Sequence, residues 1–291
     1  MISRVSKLLL LAALALIMVA CSSLKQPLQP QAKFNADNAL KLAQDYEQQK
    51  RFANAIDTYV FALDLYRSFA NTEGQMYCLS GLARIKLEQS DHDAADEYRY
   101  EMQEIAEQID PDNAVILLLY DLHKLQLDRN YQEISIVAVA SEKYTDSQKM
   151  QVLSYKIQAD AYLENTDQSK VRQLERLAAK HFRKPLRKRQ INPQILSQAA
   201  YSLAYHYYVA GNLDKADYYL RRSVNLDYSY GNFASLGYSL WLQAKTQMAR
   251  GKNVEALSLL LKARQVFQSY ANLEMISKVE ADLDKIAVTG E

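Results

Sequence analysis

Glycine and proline are scarce in this chain, seven and five among 291 residues, and the features they build are missing with them. No Gly-rich turn of the kind that cradles phosphate is present, and no nucleophile elbow. No stretch alternates apolar and polar residues with a period of two, so nothing reads as a half-solvated strand. Cysteine occurs twice, at Cys21 and Cys78, too few for a disulfide framework. The four histidines, His92, His123, His181 and His206, are scattered, and none belongs to a cluster with metal-site spacing. Asp91-His92-Asp93 reads as a solvated turn between helices. Neither sign of charge dominates, since 35 Lys and Arg stand against 34 Asp and Glu. That balance argues neither for nor against an acidic partner. These absences leave catalysis without support, so a non-enzymatic protein with no metal and no cofactor is expected.

What is present begins with an address. Arg4 and Lys7 precede the apolar run from Leu8 to Ala20, which is shorter than the roughly 20 residues a spanning helix needs. It reads as a secretory leader over residues 1–20. The next residues, Met18-Val19-Ala20-Cys21-Ser22-Ser23, resemble a bacterial lipobox, with Met18 where that pattern usually has Leu. The resemblance implies cleavage before Cys21 and lipid attachment to it. An ordinary leader that leaves Cys21 as a free thiol is the alternative. Ser22 is compatible with sorting to the outer membrane, where an Asp would suggest retention at the inner one. Residues 21–36 would then form a tether punctuated by Pro27 and Pro30, spanning about 20 Å, and Asp37 would cap the first helix. Cys78, within an apolar helical pattern, is expected to be a small buried residue.

The stretch from Ala199 to Tyr228 sets the pattern for the remainder. Leu203, Ala204 and Tyr207 share one helical face, Gly211 and Asn212 make a turn, and Ala216, Leu220 and Ser223 recur on a second helix. Small residues at Ala204 and Ala216 let the two helices touch closely. This pattern resembles the tetratricopeptide repeat. Leu42, Ala43 and Tyr46, then Ala55, Tyr59 and Ala62, repeat it near the amino terminus. A second unit places Gly81, Leu82 and Ala83 before Ala94 or Ala95, its register open by one residue. Leu122 and Leu125 before Ile134 and Ala138 make a weaker third. Ala159 and Tyr162 before Val171 and Ala178 make a fourth, and Ala244, Gly251, Ala256, Leu260 and Ala263 a sixth. The anchors recur about every forty residues, longer than the usual 34, which implies extended second helices. The resemblance implies an all-α, right-handed superhelical solenoid of about six helix pairs. Repeats one to four would occupy residues 37–182 and the last two repeats 196–287, closed by a capping helix from about Leu273 to Ile286.

Two features lie outside that framework. Residues 183–195 read as a Pro-containing linker whose basic patch, Arg183, Lys184, Arg187, Lys188 and Arg189, faces no acidic residue between Arg176 and Leu213. Such a run is either a solvated linker or a contact for anionic lipid or an acidic partner. The second feature is the inner groove that such repeats form. By the family's geometry Tyr201, Tyr205 and Tyr208 line it in the fifth unit, and Tyr238, Trp241, Lys245 and Met248 in the sixth. Rigid amphipathic rings of this kind are characteristic of protein-binding hot spots. A tightly wound body, or its own capping helix, would fill the groove with the same rings. Tyr46, Tyr59, Tyr162 and Tyr207 match structural positions and are assigned to packing. The earlier units offer a more polar groove with Arg84, His123, Lys156 and Asp160. The carboxylate clamp of chaperone-binding family members is absent, its first position being Gln44, Arg84, Asp160, Tyr205 and Lys245.

The resemblance implies a non-catalytic scaffold, held by lipid at Cys21 on the periplasmic face of the outer membrane. There it would bind envelope proteins of pilus, secretion, outer-membrane or cell-wall machinery through the concave groove, and no nucleic acid. The alternative is a transporter-associated solute-binding lipoprotein, its rings closing a small-molecule pocket.

Overall fold

The computed structural model describes residues 31–138, 144–165, 167–183 and 191–289. The expected leader, Cys21 and most of the tether lie outside the described residues, as do Lys184, Arg187, Lys188 and Arg189. Among the described residues the chain is all-helical, with thirteen α-helices and no strand. Helix α1 (Gln31–Gln48) pairs with α2 (Phe52–Ser68), and α3 (Thr72–Glu88) with α4 (His92–Glu104). A π-helical turn and a 3₁₀ turn lead on to α5 (Ala114–Leu127) and the short α6 (Tyr131–Ile136). Then come α7 (Asp146–Tyr162) with α8 (Gln168–Phe182) and α9 (Pro193–Val209) with α10 (Leu213–Tyr230). The chain closes with α11 (Phe233–Ala249), α12 (Asn253–Ser269) and α13 (Leu273–Thr289). Most helices pack chiefly on their sequence neighbours, α5 and α7 chiefly on the first helices of adjacent pairs, and the first helices of successive pairs touch one another in an unbroken row.

One turn device closes all six pairs. Two residues beyond the first helix the backbone is left-handed, at Lys50, Ser90, Arg129, Glu164, Gly211 and Gly251, with φ from 54° to 74°. The next amide then bonds back five residues, as from Asp91 to the Lys86 carbonyl at 2.9 Å and from Asn212 to Tyr207 at 2.8 Å. This is a Schellman closure, which satisfies carbonyls the helix end would leave bare. Asp91, Asn130 and Asn212 follow at once as N-caps, their side chains accepting amides of the new helix. Only two of the six left-handed positions carry glycine, which is why so few glycines suffice.

A second constant is the spacing of buried anchors. Ala43 and Ala55, Ala83 and Ala95, Leu122 and Ile134, Ala159 and Val171, Ala204 and Ala216, and Ala244 and Ala256 are all buried. In every pair the two positions lie twelve apart. This settles the second unit in favour of Ala95, since Ala94 is only half-buried. Cys78 is buried in the same core, and burial pushes its thiol up to about 12.

Several expectations are corrected. Helix α1 already runs from Gln31, six residues before the expected cap at Asp37, whose carboxylate instead accepts from the Tyr66 hydroxyl at 2.8 Å. Helix α9 starts at Pro193 behind the N-cap Asn192, inside the expected linker. Ala138 lies beyond the end of α6 and is exposed. Leu42 is also exposed.

The row of pairs curves back on itself. Gln48 Nε2 donates to Gln194 Oε1 at 2.7 Å, joining the first pair to the fifth. Arg129 pairs with Glu274 at 2.8 Å, joining the third to the last helix.

Glycine matters at the interface as well as in the turns. A Cβ on Gly81 would lie 2.3 Å from Tyr59 Cζ, whereas one on Gly211 would meet nothing within 4 Å. Gly81→Ala should therefore cost about 1–3 kcal/mol by overpacking, and Gly211→Ala only about 1 kcal/mol through its backbone. Urea unfolding of the two variants checks that order, and the reverse order would refute the packing account.

Candidate functional site

The inner row of first helices carries the aromatic residues singled out above. Tyr201, Tyr205 and Tyr208 lie on α9, and Tyr238, Trp241, Lys245 and Met248 on the adjacent α11. All are half-buried except Tyr238, which is exposed. Much of the α11 set is occupied by the protein itself. Trp241 Nε1 donates at 2.8 Å to Asp282 Oδ2, a buried carboxylate of α13 that also pairs with Lys285 at 2.7 Å. Lys245 Nζ stands 4.9 Å from the Trp241 ring centre and 5.9 Å from that of Tyr208, a cation–π bracket between α9 and α11. Tyr238 meets Phe267 edge-on at 5.3 Å, and Met248 packs into the core of the last pair. For these residues the closing helix and the core supply the partner.

The α9 side is different, because its rings continue into a ladder the sequence reading did not assemble. Tyr205 lies 5.0 Å from Tyr162, which stacks on Tyr131 at 4.1 Å with the planes 4° apart. Burial, with Tyr162 second, pushes the Tyr131 hydroxyl up to about 12 and raises Tyr205 in the same way, so these phenols stay protonated. The repeat pattern assigns both Tyr162 and Tyr207 to packing, yet Tyr162 is 51% exposed whereas Tyr207 is 7% exposed.

The reason lies one pair upstream. The Tyr207 hydroxyl donates to Glu175 at 2.7 Å, four residues past the anchor Val171 on α8. The position equivalent to Glu175 for Tyr162 is Ala138, where α6 has already ended. Helix α6 stops because the buried Lys156 donates its ammonium to the carbonyls of Ser135 and Val137. The missing turn of helix uncovers Tyr162, and Tyr131 slides against it. Leu127 and Val209, the last residues of α5 and α9, add exposed apolar surface at equivalent positions of their pairs, and Leu163, just past the end of α7, adds more. The available signal was the weakness of the third repeat.

The polar groove expected in the earlier units is turned inward. Arg84 grips Glu47 through two bonds of 2.9 Å, and the Tyr59 hydroxyl donates to the same carboxylate. Burial pushes His123 down to about 4, Arg84 adding to the effect, so its ring is neutral. Asp160 is buried against Ser135 and the Lys170 ammonium, the latter at 2.8 Å. Gln126 bonds to Gln158 at 2.8 Å and Gln158 to Ser202 at 2.6 Å, lacing α5, α7 and α9 together. Arg183, exposed at the end of α8, is the one member of the basic patch among the described residues.

Compared with known proteins, the chain matches no family model and no curated sequence.

One further buried group bears on the carboxyl-terminal half. Asp227 on α10 accepts from Ser197 at 2.6 Å, from Asn232 and Ser239 at 3.1 Å, and from Ser223 at 3.5 Å. Burial outweighs these donors and pushes the carboxyl from 3.8 up to about 7. Between those values the folded protein holds a proton that the unfolded chain releases. Stability from this group is therefore fullest below about pH 4 and falls as the pH rises to about 7. Melting temperatures from pH 5 to 8 should decline in the native protein, and the decline should flatten in Asp227→Asn. Parallel profiles would show that Asp227 is ionised throughout.

Proposed function

We propose that this chain is a non-catalytic scaffold, a tetratricopeptide-like right-handed solenoid, that holds another protein along its inner aromatic edge. The observation that carries the reading is the ladder Tyr131–Tyr162–Tyr205, which crosses three successive pairs with its middle ring half in solvent. Stacked tyrosines are already ordered, so a partner gains contact area at little entropic cost. Their spacing along a curved row suits an amphipathic helix or an extended segment laid across the pairs. The lipobox-like residues at Cys21 support a lipid-anchored protein on the periplasmic face of the outer membrane, serving an envelope assembly machine. Solute binding within a closed aromatic pocket is less favoured, because Trp241 of α11 is covered by α13 through Asp282 while Tyr162 of α7 is open to solvent.

Photo-crosslinking in the native cell tests this. A crosslinker at Tyr162 should trap one defined protein. The same reagent at Tyr100, exposed on α4, should not, and Tyr131→Ala should abolish the adduct. A folded, membrane-associated protein that traps nothing from position 162 would end the scaffold reading of this edge.

A further inference from the structure

Where the first pair meets the fifth, the protein leaves a cavity of about 350 Å³. Lys41, Gln44 and Asp45 of α1 form one wall, Asn192 and Gln194 at the start of α9 a second, and Tyr230 at the end of α10 a third. Gln48 bonds to Gln194 at its edge, and Asp227 and Asn232 lie behind it as a base already satisfied by neighbouring hydroxyls. The walls are not satisfied in this way. The side chains of Lys41, Gln44, Asp45 and Tyr230 make no hydrogen bond or ion pair among the described residues. Four unspent polar groups from two sequence-remote helices thus converge on one concavity.

Their chemistry restricts what fits. The walls carry one positive and one negative group, one turn apart on α1, so neither an anion nor a cation is favoured overall. Amide and carboxylate side chains present donors and acceptors in one plane, which matches adjacent hydroxyls that each donate and accept. Tyr230, 44% exposed, offers a ring face with a polar tip, suited to the C–H face of a pyranose. The volume lies at the small end of ligand pockets, about 300–1,000 Å³, which admits one or two sugar rings and no folded partner.

We propose that this seam binds a neutral polyhydroxylated ligand, a mono- or disaccharide, held between α1, α9 and α10. The site is independent of the aromatic edge and of any protein held there. Because its walls belong to the first and fifth pairs, a bound sugar ties together parts of the chain that otherwise share the Gln48–Gln194 bond.

Isothermal titration of the mature chain with maltose, cellobiose and diacetylchitobiose tests the assignment, with glucuronate and glycylglycine as charged and zwitterionic comparisons. At least one neutral sugar should bind with millimolar or tighter affinity. Asp45→Ala and Tyr230→Ala should each weaken it about tenfold or more without changing the melting temperature, while Tyr100→Ala leaves it intact. The proposal is overturned if none of the neutral sugars binds. Binding of glucuronate or glycylglycine alone, or sugar binding indifferent to both wall variants, would overturn it equally.

Discussion

The twelve-residue interval between a buried residue on each first helix and its partner on the second is the constraint on which the fold depends. Where both positions are alanine, as at Ala43 and Ala55 or Ala204 and Ala216, the helices approach closely, and ridges of larger side chains interlock on either side. The interval in turn requires a turn of fixed length. The Schellman closure supplies it in every pair, even where a lysine, serine, arginine or glutamate must take the left-handed position. Such residues lose roughly 1–2 kcal/mol there relative to the right-handed region. Their recurrence at one offset shows that turn length is held more tightly than turn composition.

The third pair stretches the rule, and the candidate site is the result. Leu122 and Ile134 replace small anchors with large ones, and α6 amounts to less than two turns. Lys156, rather than a continuing helix, satisfies the last carbonyls. The ring that α6 would cover is thereby left for stacking with Tyr131 and Tyr205. A local failure of repeat packing and an exposed aromatic ladder are one physical event. Elsewhere the inner face is laced by side-chain bonds such as Gln126 to Gln158 and Arg84 to Glu47, and little of it is left for a partner.

Much of this was legible in the sequence. The helical class, six pairs and a closing helix beginning at Leu273 follow from the periodic alanines and the Asn and Asp caps between them. Local signals of this kind survive because each pair is built by residues within about forty positions of one another. The site was legible only in part. Tyr201, Tyr205 and Trp241 do lie on the inner row, but family geometry could not show that Asp282 would claim Trp241, or that Tyr162 would be uncovered. Both depend on contacts between units rather than within one, with one helix present where the repeat pattern ends and one cut short where it should continue. The cavity beside Tyr230 was invisible for the same reason, since Lys41 and Asn192 meet only through the curvature of the whole row.

The bonds from Gln48 to Gln194 and from Arg129 to Glu274 change how such an array should respond to stress. In an open stack the terminal units fray first, because each is held by one neighbour alone. Here the first pair is also held by the fifth, and the third by the last helix. The body is mechanically a circuit: a pull on its amino-terminal end is shared across nearly the whole ring. The second link is an exposed ion pair, so dissolved salt weakens it, whereas the first, between two neutral amides, is left in place.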